Sequence, residues 1–215
     1  MDPRLRMPSS PFLYPVFDTK FSPDLVRDAR EAVRAGVQIF QLRAKNISIR
    51  EIFGIVEELS PDCTSKQVRM IINDYVDIVL VSGAAGVHLG QEDFPVRETR
   101  SLLGEKIIGF STHNREQFQA AAGLPVDYIA IGPIFQTSTK VSLHPSLGPE
   151  FVREVRPGCP VPLVCIGGIR KEHFPELLAA GADGIALISE LYRGPGIYHT
   201  IRGMLDELDS FRQSV

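Results

Sequence analysis

Cysteine is scarce here: Cys63, Cys159 and Cys165 are the only three in 215 residues. They form no CxxC pair, and an odd number cannot all pair within one chain. A disulfide scaffold and a zinc ribbon are therefore disfavoured, and a reducing compartment is expected. Charge of one sign is also missing. Lys+Arg 23 against Asp+Glu 26 leaves a net charge of −3, which gives no general attraction to nucleic acid or to acidic lipid, although a local basic cluster could hold a small anion. No long apolar run follows the amino end, because "PFLYPVF" is interrupted by Asp18 and Lys20 before it reaches the length of a signal or membrane segment. The expectation is a cytoplasmic protein with no membrane and no nucleic-acid partner. Residues 1–10 form a flexible extension, and residues 11–215 form one domain that needs neither metal nor disulfide to hold together.

What is present is a 44% hydrophobic chain with 18 Gly and 16 Pro, the composition of a globular domain with tight connections. The fragments "AGVQIFQLR", "GAAGVHLG", "PVDYIAIG" and "AGADGIALIS" share one form: a small-residue turn, a few β-favouring residues, then a polar or glycine-rich exit. Candidate strands fall at 12–18, 37–42, 68–72, 86–89, 107–110, 127–131, 162–166 and 184–188. Helical patterns alternate with them. Ser22 reads as the cap of the first, with Pro23 at its first position and Leu25, Ala29, Ala32 and Val33 on one face. Ser48 with Glu51 opens a helix over 48–60 at capping-box spacing, and Asn114 with Gln117 repeats the device before Ala120–Ala122. Further helical stretches are 75–82, 94–103, 148–156, 171–180 and 197–212. Eight strands each followed by a helix predict an α/β single domain closed into a (β/α)8 TIM barrel. An open doubly wound sheet is disfavoured because no glycine fingerprint follows the first strand.

Barrel active sites gather at the carboxyl ends of the strands, and the polar residues of this chain collect there. The exits read Asp18; Gln41, Arg43 and Lys45; Asn73 and Asp74; His88, Gln91 and Asp93; Ser111, Thr112 and His113; Thr137 to Lys140; Gly167 and Gly168; and Ser189. Gln41, Arg43 and Lys45 alternate, so strand periodicity points them one way, and the two cations suit a phosphate or diphosphate. The bland alternative is a solvated loop charge. Asp74 and Asp93 end neighbouring strands opposite those cations. Two carboxylates make poor direct phosphate ligands, but suit a magnesium ion between protein and phosphate oxygens. Their alternatives are helix caps, Asp93 for the helix that Pro95 begins. Gly167 and Gly168 with Ser189 lie after the seventh and eighth strands, where barrels often hold phosphate. After Gly132 and Pro133 the connection to about Pro149 is long enough for a binding loop or lid, and Thr137, Ser138, Thr139 and Lys140 give it hydroxyls and an ammonium. His88 and His113 read as structural groups bonded to backbone, and Cys165 as core.

The motifs "QLRAK", "IIND", "GVHLGQED", "GFSTH", "GPIFQTSTK", "CIGGI" and "GIALIS", in this order from Leu13 to about Leu191, resemble those of the thiamine phosphate synthase (thiamine-phosphate pyrophosphorylase) family. That resemblance implies a transferase of thiamine biosynthesis. The family joins an aminomethylpyrimidine diphosphate to a hydroxyethylthiazole phosphate and releases thiamine phosphate and diphosphate. Its small-molecule substrates and Mg²⁺ would map as follows. Gln41, Arg43, Lys45 and Asn73 match the residues that hold the pyrimidine diphosphate, and Asp74 and Asp93 the metal ligands. Ser111 matches a diphosphate-side contact and Lys140 the lysine that reaches the diphosphate. Thr137, Ser138, Thr139, Gly168, Ile188 and Ser189 match the thiazole-phosphate site. Arg43, Lys45, Lys140 and Ser111 carry the catalytic expectation. Tyr75 and "YPVFDTK" depart from the family's usual residues. Rival readings are a thiazole tautomerase-like paralogue, a phosphosugar epimerase or aldolase barrel, and a non-catalytic thiamine-precursor binding protein.

Overall fold

The computed structural model describes residues 2–137 and 145–214. Its strands are β1 Phe12–Asp18, β2 Ile39–Arg43, β3 Arg69–Asn73, β4 Gly86–Leu89, β5 Ile107–Thr112, β6 Tyr128–Ile131, β7 Leu163–Ile166 and β8 Gly184–Leu187. Each pairs in parallel with its sequence neighbours and β8 returns to β1, so the sheet closes into the expected barrel. The alternating helices are α1 Leu25–Ala35, α2 Ile49–Lys66, α3 Val76–Val81, α4 Val96–Leu103, α5 Arg115–Ala122, α6 Gly148–Val155, α7 Phe174–Ala179 and α8 Ile197–Ser214.

The period-2 alternation of the strands sorts their side chains into two cores. Outward residues such as Leu42, Ile72, Val87, Ile108, Ile129 and Ile185 pack with Ala29, Ile52, Val56 and Leu59 of the helical shell. Inward residues include Phe12, Tyr14 and Val16 of β1, Ile39 of β2, Ile71 of β3, Ile107 of β5, Tyr128 and Ala130 of β6, and Val164 of β7. Complete burial of an aliphatic or aromatic side chain of this size stabilises a fold by about 1.5–3 kcal/mol. Room for the buried Tyr128 ring comes from Gly109 on the next strand, where a Cβ would overlap the ring itself.

Local sequence signals agree with the structure at some helix ends and not at others. Ser48 and Glu51 form the reciprocal capping box. The helix they open runs past 60 and through Pro61 to Lys66, because Leu59 and Cys63 extend its buried face. Ser22 does not cap α1. Asp24 does, accepting from the Arg27 N–H, while the buried Ser22 hydroxyl donates to the Asp28 carboxylate at 2.7 Å. Asn114 caps α5, but Gln117 reaches one residue further back than a capping box requires and accepts from the His113 N–H at 2.8 Å. The second strand starts at Ile39 rather than 37, since the Val37 N–H still serves the end of α1, bonded to the Ala32 carbonyl.

The amino-terminal end of the barrel carries the same device twice. Asp127 receives the Ile108 N–H at 2.8 Å and the Arg100 guanidinium at 2.5 Å. Asp183 receives the Leu163 N–H and the Arg156 guanidinium, both at 2.8 Å. Residues 2–10 reach this end as well. Arg4 donates to the Thr64 hydroxyl at 3.0 Å, Arg69 donates to the Arg6 carbonyl, and Met7 packs on the inward core. No helix among the described residues is long and apolar enough to cross a membrane.

Candidate active site

The carboxyl ends of β1 to β4 bring charged groups together. Asp18 and Arg43 end β1 and β2 in direct register and form an ion pair. Asp18 is buried, and its second oxygen accepts from the Lys20 N–H at 2.8 Å. The Arg43 guanidinium is thus gripped on one edge. Lys45, beyond the strand, places Nζ 3.4 Å from Asp74 Oδ2. Asp74 lies in the left-handed region, φ 70°, where aspartate is tolerated better than most residues. Its carboxyl is half-buried and lies within hydrogen-bonding reach of Asp93. Burial and the neighbouring Asp93 charge raise its proton affinity above the usual carboxylate range, and Lys45 partly offsets them. Neither aspartate caps a helix: α3 and α4 have no side-chain cap, and Asp93 instead accepts from the Gly90 N–H at 2.6 Å.

Beneath this rim the candidates Gln41, His88 and Ser111 are joined through Tyr14 and Tyr128, two buried phenols that sequence reasoning missed. Gln41 Nε2 donates to the Tyr14 hydroxyl at 3.2 Å, and the Tyr14 and Tyr128 hydroxyls are 2.8 Å apart. Tyr128 meets His88 Nδ1 at 2.8 Å, and His88 Nε2 meets the Ser111 hydroxyl at 2.7 Å. The Ser111 carbonyl accepts from Gln91 Nε2 at 2.6 Å. Each ring nitrogen of His88 therefore meets a side-chain hydroxyl, where a backbone partner was expected. His113 does meet a backbone carbonyl, Gly132 O, at 2.6 Å. Tyr14 shares the strand parity of Asp18, and that shared side was the available signal for an inward phenol.

The exits of β6 to β8 form a second group. The segment leaving β6 bonds onto the end of β7, through Ile134 N–H to Ile166 O and Phe135 N–H to Gly167 O, both at 2.9 Å. Its far end returns to its own start, through Leu147 N–H to Pro133 O and Gly148 N–H to Ile134 O, again at 2.9 Å. Gly168 has φ +66°, and a Cβ there would lie 2.5 Å from Gln136 O and 2.7 Å from Phe135 O. The glycine is needed for both reasons. Ser189 opens a short 3-10 helix after β8, with Ile188 against the inward core. Thr137 is described, whereas Ser138, Thr139 and Lys140 lie outside the described residues.

The two groups stand on one rim with β1 between β8 and β2. Two other clefts, of about 540 and about 500 Å³, lie on the helical shell. There Lys171 pairs with Glu207 at 3.1 Å and Arg30 with Glu58 and Asp62 at 2.9 Å, whereas the strand ends hold the polar residues of several strands on one rim, where barrel sites gather. Among the described residues no cluster of three or more His, Cys, Asp or Glu could enclose a metal alone. The oxygen-only Asp74–Asp93 pair, with its mutual repulsion, fits a cation such as Mg²⁺ that takes one or two carboxylates and completes its shell with water and phosphate.

The sequence model of the family described as thiamine monophosphate synthase matches residues 13–191. The chain is 42% identical over 168 residues to a thiamine-phosphate synthase from Syntrophomonas wolfei, covering 78% of this chain and 80% of that one. It is 35% identical over 204 residues to a thiamine-phosphate synthase from Shouchella clausii, with 94% and 98% covered. The solved thiamine phosphate pyrophosphorylase from Pyrococcus furiosus superimposes with a TM-score of 0.84 at 29% identity, over 97% of this chain and 98% of that chain. With the barrel, the order of its motifs and these relatives in agreement, the chain belongs to the thiamine monophosphate synthase family.

Proposed function

We propose that this barrel is a transferase joining an aminopyrimidine carried as its diphosphate to a thiazole carried as its phosphate, releasing thiamine phosphate and diphosphate. The observation that carries the reading is the half-buried Asp74–Asp93 pair, held beside Lys45 and one strand from Arg43. So costly a group of like charges makes sense where a cation and a polyanion are to be bound. Asp74 and Asp93 would hold Mg²⁺, which supplies positive charge to a departing diphosphate. Gln41 and Asn73 line the pyrimidine side, and Arg43, Lys45 and Ser111 turn donors toward the diphosphate. Lys140 joins them by its match to the family motif, and Thr137, Ser138, Thr139, Gly168, Ile188 and Ser189 receive the thiazole phosphate. No nucleophilic side chain is required. When the bond to diphosphate breaks, the electron pair leaves with the phosphate oxygen, and the thiazole nitrogen supplies the pair that forms the new carbon–nitrogen bond. Donors fixed where negative charge grows are the main catalytic contribution of the protein.

Purified protein mixed with both substrates and Mg²⁺ should yield thiamine phosphate and diphosphate in equal amounts, read by mass, and excess chelator should stop the reaction. Binding of both substrates without product would sink the coupling reading and identify a precursor-binding protein. Undiminished product in excess chelator would sink the metal assignment alone.

A further inference from the structure

The buried polar chain has a direction. Gln41 Nε2–H donates to the Tyr14 oxygen; the two contacts beyond it run either way by distance alone, and the run consistent with that donor sends the Tyr14 proton to the Tyr128 oxygen and the Tyr128 proton to His88 Nδ1. An imidazole that accepts at Nδ1 carries its proton on Nε2, where it faces the Ser111 oxygen 2.7 Å away. Ser111 then receives a hydrogen bond from below and keeps its own proton for an acceptor above the rim. We propose that Tyr14, Tyr128 and His88 are positioning residues that lock His88 in its Nε2–H form and thereby make the Ser111 hydroxyl an obligatory donor toward the leaving diphosphate.

The surroundings support a fixed direction. Both tyrosines are fully buried, and desolvation holds their hydroxyls protonated far above neutrality, so neither becomes an acceptor-only phenolate. The Tyr14 and Tyr128 rings are locked edge-on with centroids 5.7 Å apart, and the His88 ring lies at 22° to Tyr128 with centroids 5.5 Å apart. A serine at a half-exposed rim could otherwise turn its proton to any nearby acceptor. Here one side of its oxygen is already occupied, and chains of hydrogen bonds polarise one another in a low-dielectric interior.

The proposal rests on the reading of Ser111 as a diphosphate contact, but its first test does not. Nitrogen-15 NMR of the ligand-free protein should show His88 with an unprotonated Nδ1 and a protonated Nε2, and Tyr128→Phe should release that preference. A protonated Nδ1 in the unaltered protein would reverse the chain and overturn the proposal, whatever reaction the protein performs. The second test is kinetic. Tyr128→Phe should lower kcat by about tenfold, short of the roughly 10²-fold expected when the donor itself is removed by Ser111→Ala, and leave the KM for thiazole phosphate unchanged. His88→Gln, which can still present an N–H to Ser111, should retain more activity than His88→Leu. Equal loss in both His88 variants, or a KM effect without a kcat effect, would leave the chain a packing device and defeat the assignment.

Discussion

At Asp74 the fold keeps a group that stability alone would remove. Its carboxyl is pushed to a higher proton affinity by burial and then by Asp93, more than Lys45 restores. The shift is upward, so the fold favours the protonated form, and that contribution is present at low pH and lost as pH rises through the raised value. Asp74→Asn keeps the shape and deletes the charge. In the absence of divalent cations it should raise Tm at neutral pH, the gain should vanish toward acid pH, and thiamine phosphate formation should fall. Thermal unfolding across a pH series checks this, and a lower Tm at pH 7 would show that the ionised pair is net stabilising. Arg43 differs in that a buried partner, Asp18, already fixes it. Arg43→Ala should weaken the pyrimidine diphosphate by about tenfold or more, the loss of a charge-assisted bond of roughly 1.5–3 kcal/mol, and leave thiazole phosphate binding unchanged. Titration with each substrate separately measures both effects.

Among the elements, the joint between the β6 exit and the end of β7 is the most demanding. Gly168→Val places a branched Cβ against the carbonyls of Phe135 and Gln136 and forces a β-branched residue to positive φ. A cost of about 2 kcal/mol or more in unfolding free energy is expected, with weakened thiazole phosphate binding and an intact pyrimidine site. Denaturant unfolding and two binding titrations read this out, and equal weakening of both substrates would erase the division of the rim. The same elements show what a sequence discloses. Strand count, order and near-exact ends were legible because each strand is bracketed by small turn residues and a polar exit. Pairings between distant residues were not. Ser22 reads as a cap, yet its hydroxyl turns to Asp28, whose carboxylate Tyr192 from beyond β8 also reaches at 3.2 Å. Asp18 and Arg43 are 25 positions apart and meet only through strand register. Tyr14 and Tyr128 look like ordinary β-formers, and their hydroxyls acquire meaning only once the barrel closes.

Across the whole molecule the two barrel ends divide their duties. Asp127 and Asp183 bind strand N–H groups and arginines at the amino-terminal end, far along each strand from the rim. Asp183→Ala strands the Leu163 N–H and removes the partner of Arg156, so about 2 kcal/mol of stability should be lost, while kcat and both KM values stay as they were. Denaturation and steady-state kinetics on one preparation test the separation, and a fall in kcat at unchanged fold would refute it. The three thiols give this architecture a timekeeper. Cys63 in α2, Cys159 beyond α6 and Cys165 in β7 are all buried, and burial pushes the Cys63 thiol up to about 12. A thiol that is neither exposed nor ionised reacts with an alkylating reagent only while its surroundings are open. The chain therefore carries three native stopwatches, in helix, connection and strand, and the order in which they are labelled records which part of the barrel breathes first.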